Sequence, residues 1–305
     1  MIKLKDLLPE GVAHETTTLL QVWNGRIPIY PALMKKVIGD IPIESFHITD
    51  WYRAKGLSNL VGKKKSLSTF TALKRDSMQT TGKGIQTSGG IVFHLEGKLL
   101  AGGLADIGSV PDLEGRRWFH PETLAGIVGW KGKNLSKKNL QTSIISKDKK
   151  FQQLFWKYQD WLFREDASRG GKDIPPLTNQ EKKEFIKRWI DGCEKFLLKH
   201  KNIIKKKFLE AAEGRVPKSS IYGWNELVIY DIKAKGALIV LDGLAEPGDH
   251  EGLERNLKNT EKIVKKYTSN IQRGFMSDDV VRKYILKHGG KIGSLDPKQI
   301  KIRMK

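Results

Sequence analysis

Cysteine is almost absent from this chain. A single residue, Cys193, among 305 excludes an internal disulfide framework and fits a reducing compartment. Too few thiolates remain for a structural zinc site, and the histidines at 14, 47, 94, 120, 200, 250 and 288 show no ligand spacing. No metal is therefore expected. No window holds eighteen consecutive apolar residues, so no membrane partner is expected either. The opening MIKLKDLLPEG lacks an apolar run and a small-residue cleavage pattern, which predicts a cytoplasmic protein without a secretory leader. Three chemical fingerprints are also missing. No Gly-x-Gly-x-x-Gly follows a strand, no Gly-x4-Gly-Lys-Ser/Thr occurs, and there is no Gly-x-Ser-x-Gly elbow. Rossmann, P-loop and nucleophile-elbow readings fall away with them.

Acids are scarce: 34 stand against 55 Lys and Arg, leaving a net charge of +21. The excess is unevenly spread. Residues 1–130 carry 16 basic and 12 acidic side chains, 131–220 carry 23 and 11, 221–250 carry 2 and 5, and 251–305 carry 14 and 6. Nearly all of it thus lies in a middle segment and a tail, which suggests an anionic partner, most simply nucleic acid or a nucleic-acid-bound protein. Lys199, Lys201, Lys205, Lys206 and Lys207 form the densest patch, and Lys262, Lys265 and Lys266 a second. The simpler reading of both is a solvated helix face.

What is present is a folded composition, 39% hydrophobic with eight Trp and eleven Phe. Residues 1–42 read as helix and loop broken by Pro28, Pro31 and Pro42. Short strands are predicted at Ile43–Thr49, Ser66–Thr71 and Gly89–Leu95, with Glu96-Gly97-Lys98 as a hairpin turn into Leu99-Leu100-Ala101. A helical stripe follows: Phe151, Leu154, Phe155, Tyr158, Trp161 and Leu162. Thr178-Asn179-Gln180-Glu181 fits a capping box opening a long helix that ends at Gly214. Leu227–Tyr230 and Ala237–Leu241 flank Lys233-Ala234-Lys235-Gly236, a second hairpin signal. The tail reads as helix to about 288 and as loop after Gly289-Gly290.

The expected architecture is an α+β fold with a split, mostly antiparallel sheet. Residues 1–130 and 221–250 would form one catalytic domain, interrupted by a basic helical insertion at 131–220 and followed by a basic helical tail at 251–305.

Two segments point to chemistry. Lys63-Lys64-Lys65-Ser66-Leu67-Ser68-Thr69-Phe70 is a basic loop entering a strand with small hydroxyls, and Asn225-Glu226-Leu227-Val228-Ile229 is a strand opening with one acid. Their order resembles the Ser-Thr-Ser strand and the later Glu strand of ADP-ribosyltransferases of the Arg-Ser-Glu class, and of phage-encoded members in particular. The resemblance covers about a quarter of the chain. It implies NAD as substrate, Glu226 as the catalytic carboxylate, and Ser68 and Thr69 beside the nicotinamide. Trp51-Tyr52-Arg53-Ala54 resembles the early aromatic-Arg strand, and Phe46-His47-Ile48-Thr49 the His strand of the sister class, so Arg53 and His47 rank equally as the group that grips NAD, with Arg26 behind. The chain departs from the pattern at Phe70, where a Ser is usual, and at Trp224, where enzymes acting on arginine or asparagine carry Glu or Gln.

Two other classes compete. One is a non-catalytic basic protein, nucleic-acid-binding or virion-associated. The other is a magnesium-dependent nuclease using Pro111-Asp112 with Glu96-Gly97-Lys98 or Asp231-Ile232-Lys233. Asp112–His120 is a polar, aromatic stretch that reads as a turn, or else as a loop presenting Arg117 or Trp118 to substrate.

Overall fold

The computed structural model describes residues 18–50, 54, 66–73, 90–104, 107, 109–111, 116–127, 137–145, 148–157, 177–214, 225–241, 250–274 and 278–292. They are mixed α and β, and most strand pairs are antiparallel. The chain divides into two compact units, 1–37 with 108–204, and 38–107 with 205–305. These limits differ from the four-part division drawn from composition, because packing, not charge, decides which helices belong together.

Unit 1 holds a small sheet, β1 (Ile27–Ile29), β7 (Arg117–Phe119) and β6 (Val110–Pro111), in the order β1-β7-β6. Its helices are α1 (Pro31–Val37), α2 (Pro121–Ile127), α3 (Lys137–Ile145) and α4 (Asn179–Lys199), with further helical turns at 18–23 and 149–157. Helix α4 buries Phe185, Trp189, Cys193, Phe196 and Leu197, one stripe at helical spacing. Phe151, Phe155, Phe185 and Trp189 stack into its core, with ring centroids 5.3–5.6 Å apart. The Trp189 indole N–H donates to the Arg26 carbonyl at 2.8 Å, so this buried ring is also satisfied at its polar end. The capping box forms as expected: Thr178 Oγ1 accepts from the Glu181 amide, and the Glu181 carboxylate from the Thr178 amide. The long helix does not run unbroken. His200 ends α4, and α5 (Lys201–Ala212) follows, the boundary between units falling after Ile204. Gly214, with φ +78, closes α5 where a β-carbon would be strained.

Unit 2 is built on two long strands. β5 (Gly90–Gly103) and β8 (Glu226–Val240) are each continuous, so neither expected hairpin forms. Instead the two run antiparallel to each other, with register shifts at His94/Leu95, Glu96/Lys98 and Leu99/Ala101. At Glu96-Gly97-Lys98 the bulge lies on β8, where Asp231 and Ile232 together oppose Gly97 and Asp231 sits at φ +55. Gly and Lys mark turns and bulges alike, and only pairing across the chain tells them apart.

β2 (Pro42–Asp50) and β3 (Ser66–Thr69) flank this pair in the order β2-β5-β8-β3. Phe46 and Phe70 exchange both backbone hydrogen bonds, 2.8 and 2.9 Å, so the sheet curls until its edge strands touch. The expected helical tail also proves mixed. Between α6 (His250–Val264) and α7 (Asp278–Lys287), β9 (Ile271–Gly274) adds to β8 in parallel. β10 (Lys291–Ile292) pairs in parallel with β4 (Ala72–Leu73), where loop was expected. Helix α6 covers one face through Ile263 and Val264 against Phe93, Ile229 and Ile239. Helix α7 covers the other through Val281 and Ile285 against Phe46, Val92 and Leu238. Both helices therefore belong to the core of unit 2.

Candidate active site

The two segments that carry the resemblance lie side by side. β3 pairs antiparallel with β8, placing Ser68 opposite Val228 and Thr69 opposite Leu227. Side chains two apart on a strand share a face, so Glu226 lies on the face of Val228 and Ser68, one diagonal step of about 7–8 Å away. Thr69 has the opposite parity. It is buried on the other face, where its hydroxyl donates to the Leu227 carbonyl at 3.4 Å. Of the two hydroxyls named for the nicotinamide pocket, Ser68 alone shares the carboxylate's face. Phe70 is buried in an apolar cluster, its ring 6.0 Å from that of Phe46.

Glu226 is 9% exposed, and one carboxylate oxygen accepts the Ile107 amide at 2.6 Å. A charge-assisted bond of this length orients the carboxylate. The residue before it has a role that sequence reasoning missed. Asn225 is fully buried, and its Oδ1 accepts the amides of Thr71 at 3.0 Å and Ala72 at 2.8 Å. Its Nδ2 donates to Thr71 Oγ1 and the Ala211 carbonyl, both at 2.7 Å. Thr71 Oγ1 in turn donates to the Ala212 carbonyl at 3.1 Å. One amide thereby ties the exit of β3 and the end of α5 to the residue preceding Glu226. Nothing in the local sequence distinguishes this Asn from a loop residue. Helix α5 packs close to β5 at Gly102, where a β-carbon would come within 3.0 Å of the Phe208 carbonyl oxygen.

His47 lies opposite Phe93 on β2, and its Nδ1 is 2.9 Å from the Ser68 carbonyl oxygen. A carbonyl only accepts, so Nδ1 carries the proton and Nε2 is left as an acceptor. Burial pushes the His47 pKa below its ordinary value, more than the Ser68 bond raises it, which favours the neutral ring. His47 thus grips the backbone of β3. Arg53, its rival, lies outside the described residues, as do Lys63, Lys64, Lys65 and Trp224. Arg26 belongs to unit 1, where its guanidinium donates to the Trp118 carbonyl at 3.5 Å.

The face that carries Ser68 and Glu226 continues through Ser66, Tyr230 and Lys98, aligned by the register of β3, β8 and β5. The Lys98 ammonium sits 6.0 Å from the centre of the Tyr230 ring and 3.1 Å from Asp231. The Tyr230 hydroxyl donates to Asp40 at 3.1 Å, and its pKa is pushed up to about 12, by burial first and then by the Asp40 bond. Past the bulge, buried His94 bonds Glu44 at 2.9 Å, and its ring centre lies 4.7 Å from that of His288.

The nuclease reading names Pro111-Asp112, Glu96-Gly97-Lys98 and Asp231-Ile232-Lys233. Asp112 lies outside the described residues, Lys98 and Asp231 pair with each other, and among the described residues no three acids, histidines or cysteines gather as metal ligands do. Trp118 and Arg117 are buried in β7, so they present nothing to a substrate from a loop. Of the basic patches, Lys199, Lys201, Lys205 and Lys206 are exposed, while Lys207 pairs with Glu210 at 2.9 Å. Lys262, Lys265 and Lys266 are exposed on and just after α6, with Lys265 3.9 Å from Glu261. No family model matches the chain, and neither a curated protein nor a solved structure matches it.

Proposed function

We propose that unit 2 is an NAD-dependent ADP-ribosyltransferase and that its acceptor is a nucleic acid or a nucleic-acid-bound protein. One observation carries this reading: the strand bearing Ser68 is paired in register with the strand that Glu226 opens, 158 residues later, so that hydroxyl and carboxylate share one face. The chemistry suits such a pair. As the bond from nicotinamide to ribose breaks, its electrons leave with nicotinamide and positive charge develops on the ribose. A preoriented carboxylate beside that ribose lowers the barrier electrostatically. Glu226, held by the Ile107 amide, takes this role. An acceptor nucleophile then attacks the ribose carbon and gives up its proton. Ser68 orients the nicotinamide side, and His47, through the Ser68 carbonyl, positions the strand on which it lies.

The test is NAD consumption, followed as release of labelled nicotinamide. Glu226→Gln preserves shape and removes the charge. Turnover should fall by about 100-fold or more, the range seen when one electrostatic stabiliser is lost, while the circular dichroism spectrum stays native. Undiminished turnover in a folded Glu226→Gln protein removes Glu226 from the mechanism. The non-catalytic alternative, a basic protein that only binds nucleic acid, is favoured by a different observation, the cationic groove described next. It predicts no NAD consumption in the unmodified protein.

A further inference from the structure

Helices α3 and α4 of unit 1 approach closely. A β-carbon on Gly192 would come within 2.8 Å of the Ile144 side chain, so glycine is what lets α4 press against α3 at this point. Along this contact, and the helical turn at 149–157, runs a groove of about 1060 Å³. Lys149, Lys150, Lys187, Arg188, Lys195 and Lys199 line it, and its carboxylates are Asp148, Glu184 and Asp191. Arg188 engages two of these three, pairing with Asp148 and, 2.6 Å away, with Glu184. Five lysines are left facing Asp191 alone. All five are exposed. Lys187, Asp191, Lys195 and Lys199 follow one another at four-residue steps. They form a single stripe about 18 Å long at 1.5 Å of rise per residue.

We propose that this groove binds the phosphate backbone of a nucleic acid strand, without reading its bases. A row of ammonium groups along a concave wall matches a polymer with one negative charge per nucleotide, and it gains affinity from released counterions. The aromatic groups nearby are turned inward: Phe151 is 2% and Phe196 6% exposed, so neither offers a stacking platform. The site is distinct from the patches read in the sequence. It shares Lys199 with them and adds four lysines that come together only through the packing of α3 and α4. It rests on the proposed transferase activity solely for the idea that the bound strand also delivers the acceptor. The binding itself does not depend on NAD.

The test is fluorescence anisotropy with labelled 20-nucleotide single-stranded DNA, its RNA counterpart and the DNA duplex, at salt from 50 to 300 mM. Two variants are compared: Lys187→Gln/Lys195→Gln/Lys199→Gln in the groove, and Lys258→Gln/Lys283→Gln/Lys287→Gln, three exposed lysines of α6 and α7 in unit 2. The groove triple should weaken binding at least tenfold at 150 mM. It should also flatten the slope of log K against log salt by about 2 on single strands or about 3 on duplex, since each lost phosphate contact removes 0.7 to 0.9. The α6/α7 triple should bind as the unmodified protein does. No binding to any strand at 50 mM salt, or a groove triple with an unaltered slope, overturns the proposal. So does displacement of the strand by an equimolar polyglutamate peptide, which would point to an acidic protein partner instead. Strand binding is measured without NAD, so its failure and failure of the NAD-turnover test are read separately.

Discussion

Replacing Asn225 by Ala offers a quantitative test of how Glu226 is held. The side chain makes four hydrogen bonds of 2.7–3.0 Å in a site with no solvent exposure. Alanine makes none of them and leaves the Thr71 and Ala72 amides and the Ala211 carbonyl without that partner. At about 1 kcal/mol net per bond the loss is about 4 kcal/mol, and more if the stranded groups stay dry. Typical domains have only 5–15 kcal/mol in total, so Asn225→Ala should be folded but fragile. In urea, with a slope of about 2–3 kcal/mol/M, the midpoint should fall by about 1.3–2 M. Amide hydrogen exchange gives the local readout, with protection of Thr71 and Ala72 dropping by about three orders of magnitude. Asn225→Asp keeps the two acceptor bonds but loses both donor bonds and buries a charge, so it should be no better than Ala. A stability loss under about 1 kcal/mol, with Thr71 and Ala72 still protected, would show that Asn225 is not the clamp described.

Acid should loosen unit 2. Burial, and then the neighbouring His94 charge, lowers the His288 pKa, and burial lowers that of His47. With a folded pKa below the unfolded one, the unfolded chain takes up the proton first. Each contribution is therefore complete above the ordinary histidine value near 6.5 and is lost as pH falls toward the folded value. Thermal unfolding between pH 7.5 and 5 should show a falling midpoint, and His288→Gln should lessen its slope; a midpoint that rises on acidification contradicts the assignment. Thr178→Ala removes the cap of α4 and should cost about 1 kcal/mol in urea unfolding, with Thr178→Ser retaining most of it. Cys193 is fully buried, and burial raises its thiol pKa well above the ordinary value. Its reaction with a disulfide reagent should therefore be slow and should accelerate with urea as α4 opens. Rapid labelling of the native protein would contradict its burial.

Local chemistry accounts for much of the agreement between sequence and structure. The capping box at Thr178, the apolar stripe of α4 and the hydroxyl-bearing strand at Ser66 each depend on residues a few positions apart, so they are legible without a fold. The mistaken hairpins at Gly97 and Gly236 have the opposite cause. A glycine beside lysines marks a turn in one context and a bulge in another, and the difference is whether a partner strand runs alongside. β5 and β8 supply that partner to each other across about 130 positions. The tail failed in the same way: its helical period was real, but β9 is four residues long and is defined by its pairing with β8.

The amino-acid sequence by itself determined the mixed α and β character, the position of α4, the concentration of positive charge and the identities of Ser68 and Glu226. Tertiary structure alone decided that those two share a face while Thr69 does not, that Asn225 anchors the strand, and that lysines from separate helices line one groove. The reason is physical. Helical period and capping are set by neighbours along the chain, whereas strand register, burial and the gathering of like charges are set by whatever the folded chain brings alongside.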